Sequence, residues 1–342
     1  MKERPVSQKD LAKELGISVS TVSRALKDSG MISVKIREKV KNLAKLRCYH
    51  PNPFAIGLLK NTHSTIGIIV PDIVTHFYSS IISGISDVAR ANGFSTIITS
   101  SYENYLLEIQ CVESLENIRV EGVIACLSQE TTNFSHFERL LANNMPLVFF
   151  DRVCLEEQCP TVIVDNENSA KTATLHLIGL GCRKIGFIGG YNRLSIVSQR
   201  KHGYLEALRE NSIAIDKNLI VCNEMSYSAG RNAARRLMLS DSPPDAILAI
   251  NDALTFGAMK EIKELGFSIP RDIALVGYTD ELHSEYTEPA LTAITHRTYQ
   301  MGATACNLLL ERMEESPNSA MSVTIPTYLV IRDSSKKKES GY

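Results

Sequence analysis

The sequence predicts a compact all-α head joined to a larger α/β body of two lobes, each built on a parallel sheet with helices on both faces. Three observations predict it. Helical periodicity fills residues 1–48 without a strand pattern to interrupt it. From Thr65 onward, continuous apolar runs of strand length alternate with amphipathic stretches, in two successive series. Charge is segregated near the same boundary: residues 1–60 hold 13 Lys or Arg against 5 Asp or Glu, and the remainder holds 24 against 33. The net charge of −1 over 342 residues therefore averages a basic head and an acidic body.

Length and composition set the outer bounds. A chain of 342 residues exceeds what one core holds and predicts two or three domains. No apolar run approaches the ~20 residues of a membrane span, and the opening "MKERPVSQKD" lacks a signal-peptide core, so a cytoplasmic protein with no membrane partner is expected. Eight cysteines at irregular spacings, with no CxxC, predict buried thiols rather than a zinc site or a disulfide framework. No metal or cofactor is expected.

The head reads as three helices. Ser7 with Asp10 marks a helix start, and Leu11, Ala12 and Leu15 form its apolar face. Gly16 allows a tight turn, and Ser18 caps a second helix whose inward residues are Val22, Ala25 and Leu26. A third helix follows Ser33, with Ile36, Val40, Leu43 and Ala44 on its buried stripe. Two short helices across a glycine turn, braced by a third, make a helix-turn-helix unit. In that geometry the second helix enters the major groove of double-stranded DNA. Val19 then packs on a thymine methyl, Ser20 reaches a base edge, and Arg24 addresses a guanine. Ser18, Thr21 and Ser23 suit phosphates. A helical hairpin with a merely solvated basic face is the alternative.

Residues 49–63 form an expected hinge. Asn52 caps a helix, Pro53 suits its first position, and Phe54 to Leu59 spans only about two turns. Such a helix is marginal alone and needs a partner helix or DNA. Leu58 is then a wedge for the minor groove, the alternative being a plain linker with a buried leucine.

The body begins with "TIGIIV", "FSTIITS", "EGVIAC" and "PLVFFD", followed by "TVIVD", "KIGFIGG", "LIVCNE", "DAILAIN" and "IALVGYTD". Ligands of such sheets bind beyond the carboxyl ends of strands, here in the cleft between halves. Polar residues occupy those ends: Asp72, the pair Asp151 and Arg152, the pair Asn251 and Asp252, and the pair Thr279 and Asp280. Arg200 opens a helix nearby. Acids, an amide and Arg around a cleft suit a polyhydroxylated ligand, while each residue alone has a capping or loop role as its alternative.

The ordered series "LAKELGISVSTVSRALKD", "ISVKIREKVKNLAKL", "YHPN", "TIGIIVPD", "VDNENSAKTATLHLIGLGCRKIGFIGG", "SQRKHGYLEAL" and "DAILAINDALTFGAMKEIKELGFSIPRDIALVGYTD" resembles the lactose-repressor/galactose-repressor (LacI/GalR) family along nearly the whole chain. The resemblance implies a dimeric, ligand-responsive transcription regulator binding a two-fold operator, with a periplasmic-binding-protein-like body of two Rossmann-like subdomains. It implies lobe crossings near residues 162, 291 and 322, dividing the body (64–342) into 64–162 with 291–321 and 163–290 with 322–334. Positions matching Asp151, Arg200 and Asn251 contact effector in the family, and His76, Phe77 and Tyr78 lie beside it. With Asp72 and Thr279 these make the expected site for a sugar or sugar phosphate. Where the family often has an acid directly after the "VGY" strand, this chain has Thr279, with Asp280 one place later.

A dimer is expected on physical grounds too, because a lone hinge helix has little to pack against. The stretches "FYSSIISGISDVA" and "ALTFGAMKEIKEL" are its expected interfaces, unless they simply cover the sheets. The ending "YLVIRDSSKKKESGY" shows no heptad and reads as a frayed polar tail, so no tail-mediated tetramer is expected. Enzyme readings find no GxxxxGK[ST], GxSxG or HExxH. A solute-binding protein of the periplasmic type, without DNA function, is the alternative.

Overall fold

A computed structural model of the chain describes residues 6–47, 49, 65–280, 282–314 and 321–336. The chain divides into two units, Met1–His63 and Ser64–Tyr342.

The first unit contains α1 (Gln8–Leu15), α2 (Val19–Leu26) and α3 (Val34–Leu46). Ser7 starts α1 with a reciprocal cap: its hydroxyl accepts from the Asp10 amide at 3.3 Å, and the Asp10 carboxylate accepts from the Ser7 amide at 2.8 Å. Gly16 ends α1 at φ 65°, in the left-handed region that a side chain resists. Ser18 then caps α2, accepting from the Thr21 amide at 3.1 Å. Ser33 occupies the cap of α3 without a side-chain bond. Leu11, Ala12, Val22, Ala25, Val40 and Ala44 make the core, flanked by Leu15, Ile17, Leu26, Ile36 and Leu43. Tyr49, expected in the hinge, instead packs on this core, its amide donating to the Ala44 carbonyl at 2.8 Å. The remainder of the expected hinge, including Asn52 and Leu58, lies outside the described residues.

The second unit contains two six-stranded sheets. The first comprises β1 (Thr65–Val70), β2 (Ser95–Ser100), β3 (Gly122–Ala125), β4 (Leu147–Phe150), β5 (Thr161–Val164) and β11 (Ser322–Ile325), in the order β11-β5-β4-β3-β1-β2, all parallel. The second comprises β6 (Ile185–Gly189), β7 (Ile220–Cys222), β8 (Ala246–Ala249), β9 (Ala274–Thr279), β10 (Thr292–His296) and β12 (Thr327–Val330), in the order β12-β10-β9-β8-β6-β7. Among the described strands, only β12 runs antiparallel. Helices α4 (His76–Ala91), α5 (Tyr105–Ile118), α6 (Ser135–Ala142) and α12 (Thr298–Glu314) cover the first sheet. Helices α7 (Asn166–Gly179), α8 (Ser195–Glu210), α9 (Tyr227–Met238) and α10 (Asp252–Glu264) cover the second, with the short α11 (His283–Tyr286) beyond β9.

The chain crosses between lobes after Val164, between His296 and Thr298, and between Ile325 and Thr327. Each crossing lies later than expected, most of all the second. Residues 292–296 were expected in the first lobe, yet Thr292–Thr295 pair with Val276–Thr279 of β9. Leu291, Ala293 and Ile294 are buried in the second core, so cross-strand pairing and burial both hold β10 there.

Both stretches expected at a dimer interface turn their small-residue faces inward. Gly84 and Gly302 let α4 and α12 cross: a Cβ on Gly302 would lie 2.0 Å from the Ile81 carbonyl oxygen, and one on Gly84 2.2 Å from that of Tyr299. In the same way α10 presses on α9, where a Cβ on Gly257 would lie 2.2 Å from the Tyr227 oxygen. The tail also departs from expectation at its start. Ser334 and Ser335 are fully buried. The Ser334 hydroxyl donates to the Leu275 carbonyl at 2.6 Å, and that of Ser335 bonds His176 Nε2 at 2.8 Å and Thr292 Oγ1 at 2.7 Å. Two short hydroxyls satisfy backbone and side-chain groups at the sheet margin, which a polar composition does not reveal.

Candidate functional site

On the head, α2 presents the expected face. Ser18, Val19, Ser20 and Arg24 are exposed, and Thr21 and Ser23 half-buried. Ser20 and Arg24 are four residues apart and share one side of the helix. Val19, at 40% exposure, is the apolar element among them. The Ser18 hydroxyl is engaged at the cap and with Ser20 and Thr21, both at 2.8 Å, which fixes the first turn. That turn carries amides and the positive end of the helix dipole, both suited to a phosphate. Arg24 has no ion-pair partner among the described residues and is free to reach outward.

In the body, residues at the carboxyl ends of strands from both sheets surround a cavity of about 330 Å³. The first lobe supplies Asp72 after β1, Tyr102 and Glu103 after β2, and Asp151 and Arg152 after β4, with Phe77 and Tyr78 from the first turn of α4. The second supplies Ile196 and Arg200 from α8, Met225 after β7, Asn251 and Asp252 after β8, and Thr279 and His296 at the ends of β9 and β10. Seven of the eight residues expected around the ligand are thus brought together. His76 is not. It opens α4 and is exposed, because successive helical residues turn by about 100° and only Phe77 and Tyr78 face the cavity.

Three buried charges organise the walls. Arg152 donates to Glu103 Oε2 at 2.7 Å and to the Leu127 carbonyl at 3.2 Å. Burial works against its charge, but the Glu103 carboxylate more than offsets that and holds the guanidinium protonated. Arg200 donates from Nε to Asn166 Oδ1 at 2.8 Å and from Nη1 to the Ile250 carbonyl at 2.6 Å. It also lies 4.3 Å over the Tyr278 ring. Burial pushes the Asp151 carboxyl up despite Arg200 and Arg152 nearby. Asn251 caps α10, its Oδ1 accepting from the Leu254 amide at 2.9 Å, and Asp72 Oδ1 accepts from the Val74 amide at 2.8 Å.

Thr279 lines the cavity in the acid's usual place, at φ 82°. Asp280 turns away and pairs with Arg332, which also donates to the Leu291 carbonyl at 2.9 Å. Its role is to fasten the segment that follows β12 to the end of β9. At the cavity mouth the lobes touch through Gln129. Its carbonyl accepts from Arg193 Nε at 2.7 Å, its Oε1 from the Met225 amide at 3.4 Å, and its own amide donates to Glu103 Oε2 at 2.7 Å.

The cavity residues not singled out by sequence are Pro71, Thr75, Tyr102, Glu103, Ile196, Met225, Ala253 and His296. Tyr102 and Glu103 lie two and three residues past the end of a recognised strand, so the strand-end rule had the signal. His296 closes a strand that sequence did not identify as one.

Residues 7–52 match bacterial regulatory proteins of the lacI family, and residues 174–335 match a periplasmic binding protein-like domain. The ribose operon repressor of Halalkalibacterium halodurans is 30% identical over 333 residues, 97% of this chain and 98% of that protein. The chain belongs to the lacI family. Among solved members, the lac repressor dimer bound to operator and the anti-inducer ONPF has a TM-score of 0.82 at 26% identity, over 97% of this chain and 99% of that one. The regulator CelR in complex with cellobiose has a TM-score of 0.74 at 26% identity, over 97% and 100%. Membership of the lacI family makes the protein a DNA-binding transcription regulator with a ligand-binding body, and removes the solute-binding alternative. Among the described residues, no His, Cys, Asp and Glu cluster could hold a metal ion, and no helix is long and apolar enough to cross a membrane.

Proposed function

We propose that the protein is a cytoplasmic, dimeric repressor of carbohydrate-utilisation genes, relieved or reinforced by a small carbohydrate-related effector in the interlobe cavity. The observation that carries this reading is the convergence of Asp72, Phe77, Tyr78, Asp151, Arg200, Asn251 and Thr279 from two sheets on one cavity. Acids, an amide and a hydroxyl beside aromatic rings match the alternating polar rim and apolar face of a sugar. The names of the ribose repressor and of the cellobiose-bound regulator support the same class.

On the DNA side, Val19, Ser20 and Arg24 read base edges while Ser18, Thr21 and Ser23 hold phosphates, with Asn52 and Leu58 acting in the hinge. The mechanism is a population shift. Effector bridging the two lobes favours one lobe arrangement, which changes how paired heads fit a two-fold operator.

A thermal-shift screen of sugars, followed by operator binding with and without each hit, tests this. A true effector stabilises the body by mass action and changes operator affinity. A compound that stabilises the body without altering operator affinity argues against it.

A further inference from the structure

We propose that the interlobe cavity takes an uncharged ring compound of monosaccharide to nucleoside size, held by the two ring nitrogens of His296, and discriminates against its phosphate ester. The proposal rests on reading that cavity as the effector site.

His296 ends β10 and lines the cavity at 4% exposure. Neither Nδ1 nor Nε2 has a hydrogen-bond partner among the described residues. Buried nitrogens are rarely left unmet, and two on one ring point to a partner that the chain itself does not supply. Nor do the neighbouring rings supply one. Phe77 and Tyr278 meet the imidazole edge to face at 5.9 Å, and the Tyr278 hydroxyl is already bonded to Ser169 at 3.0 Å. The cavity is the open side. Burial and the positive charge of Arg200 hold the imidazole neutral. A neutral imidazole offers one donor and one acceptor, the pair that a hydroxyl or a ring amide meets.

Charge decides against a phosphate. Among the described residues, two guanidinium groups line the cavity, against the carboxyl groups of Asp72, Glu103, Asp151 and Asp252, and no lysine does. Both guanidinium groups already carry protein partners: Glu103 and the Leu127 carbonyl at Nη1 of Arg152, Asn166 and the Ile250 carbonyl at Nε and Nη1 of Arg200. Arg152 Nε is buried without a partner among the described residues, so it offers one donor to a neutral oxygen while the charge of its group is met by Glu103. Asp151, with its carboxyl pushed up by burial, is suited to share a proton with a hydroxyl. Shape sets the size, since about 330 Å³ is at the small end of ligand cavities. Phe77, Tyr102, Ile196 and Met225 give it flat and apolar walls for one face of a ring.

Calorimetry on the full chain with matched pairs tests the proposal: ribose and its phosphate ester, glucose and its phosphate ester, adenosine and adenosine monophosphate. At least one uncharged member is expected to bind, with its ester weaker by about tenfold or more. His296→Phe is expected to weaken that uncharged ligand by about tenfold, while His296→Gln, which keeps a donor and an acceptor, retains most of the affinity. An ester that binds as well as its parent overturns the proposal, as does the failure of every uncharged member or an unchanged affinity in His296→Phe. The matched pairs need no variant, so they test discrimination by charge even if His296→Phe does not fold. Operator binding in the same samples separates the two readings. An uncharged ligand that binds and leaves operator affinity untouched removes the effector role and leaves the ligand class intact.

Discussion

Arg24 and Arg200 show how one residue type performs opposite tasks. Arg24 is exposed on α2 beside Ser20 and has no ion-pair partner among the described residues. Arg24→Ala is expected to cost ~1–3 kcal/mol on the preferred operator and to relax preference at one base pair. Fluorescence anisotropy against a set of single-base operator variants reads this. Equal loss on unrelated sequences would make Arg24 a phosphate contact. Arg200 is buried and bonded to Asn166 and Ile250, so its removal strikes the body first. Arg200→Ala is expected to lower stability by ~3 kcal/mol in urea denaturation and to abolish the response to effector, with operator binding retained. A variant of unchanged stability would contradict the bonded geometry.

Histidine supplies the pH dependence at this same scale. Burial pushes the His176 imidazole below its ordinary value, and burial with Arg200 does so for His296. The folded body therefore binds fewer protons than the unfolded chain once pH falls below about 6.5. Its stability is complete above that value and declines as pH drops toward the folded-state values. Melting curves between neutral and mildly acidic pH are expected to show that decline. His176→Gln, which can keep the bond to Ser335, is expected to make it shallower. An unchanged slope in that variant rules out His176 as a contributor.

Among the elements, α4 and α12 carry the clearest test. Their crossing depends on the missing side chain at Gly302, where a Cβ would meet the Ile81 carbonyl at 2.0 Å. Gly302→Ala is expected to destabilise the body by ~1–3 kcal/mol through forced separation of the helices. Gly179 is the control: it ends α7, and a Cβ there would meet nothing within 4 Å. Gly179→Ala is expected to be neutral or stabilising by up to ~1 kcal/mol. Equal effects in the two variants would show that the crossing is not tight. The apolar stretch of α4 was legible as a face that something covers, but its partner was not. Periodicity reports that a face is buried and says nothing of which helix, or which copy of the chain, buries it.

For the whole molecule, the C-terminal segment links stability to assembly. Ser334 and Ser335 bond to β9, β10 and α7, whereas residues 337–342 lie outside the described residues. A chain ending at Lys336 is expected to melt like the full chain. One ending at Asp333 is expected to melt lower, by an amount equivalent to ~1–3 kcal/mol, because buried partners lose their hydrogen bonds. Both are expected to remain dimers by light scattering. A tetramer that falls to dimers on removal of the tail would overturn that.

The sequence by itself determined the head, its caps and its exposed face, because helix periodicity and capping are local and the signals lie within a few residues of what they specify. It also determined nine strand runs and the polar residues that follow them, since apolar runs bounded by turns mark strands wherever they end up. Only the tertiary structure decided the rest. Whether Thr292–His296 joins the first or second sheet depends on pairing with β9, a contact invisible to any window of sequence. That choice carries His296 into the cavity. The fate of Asp280 was decided by Arg332, 52 residues further along, and that of His76 by the rotation of one helix. Ser334 and Ser335 read as a loose polar tail until the sheet margin that needs their hydroxyls is in place. Local physics names the elements; long-range pairing and burial choose their neighbours, and the cavity is made of neighbours.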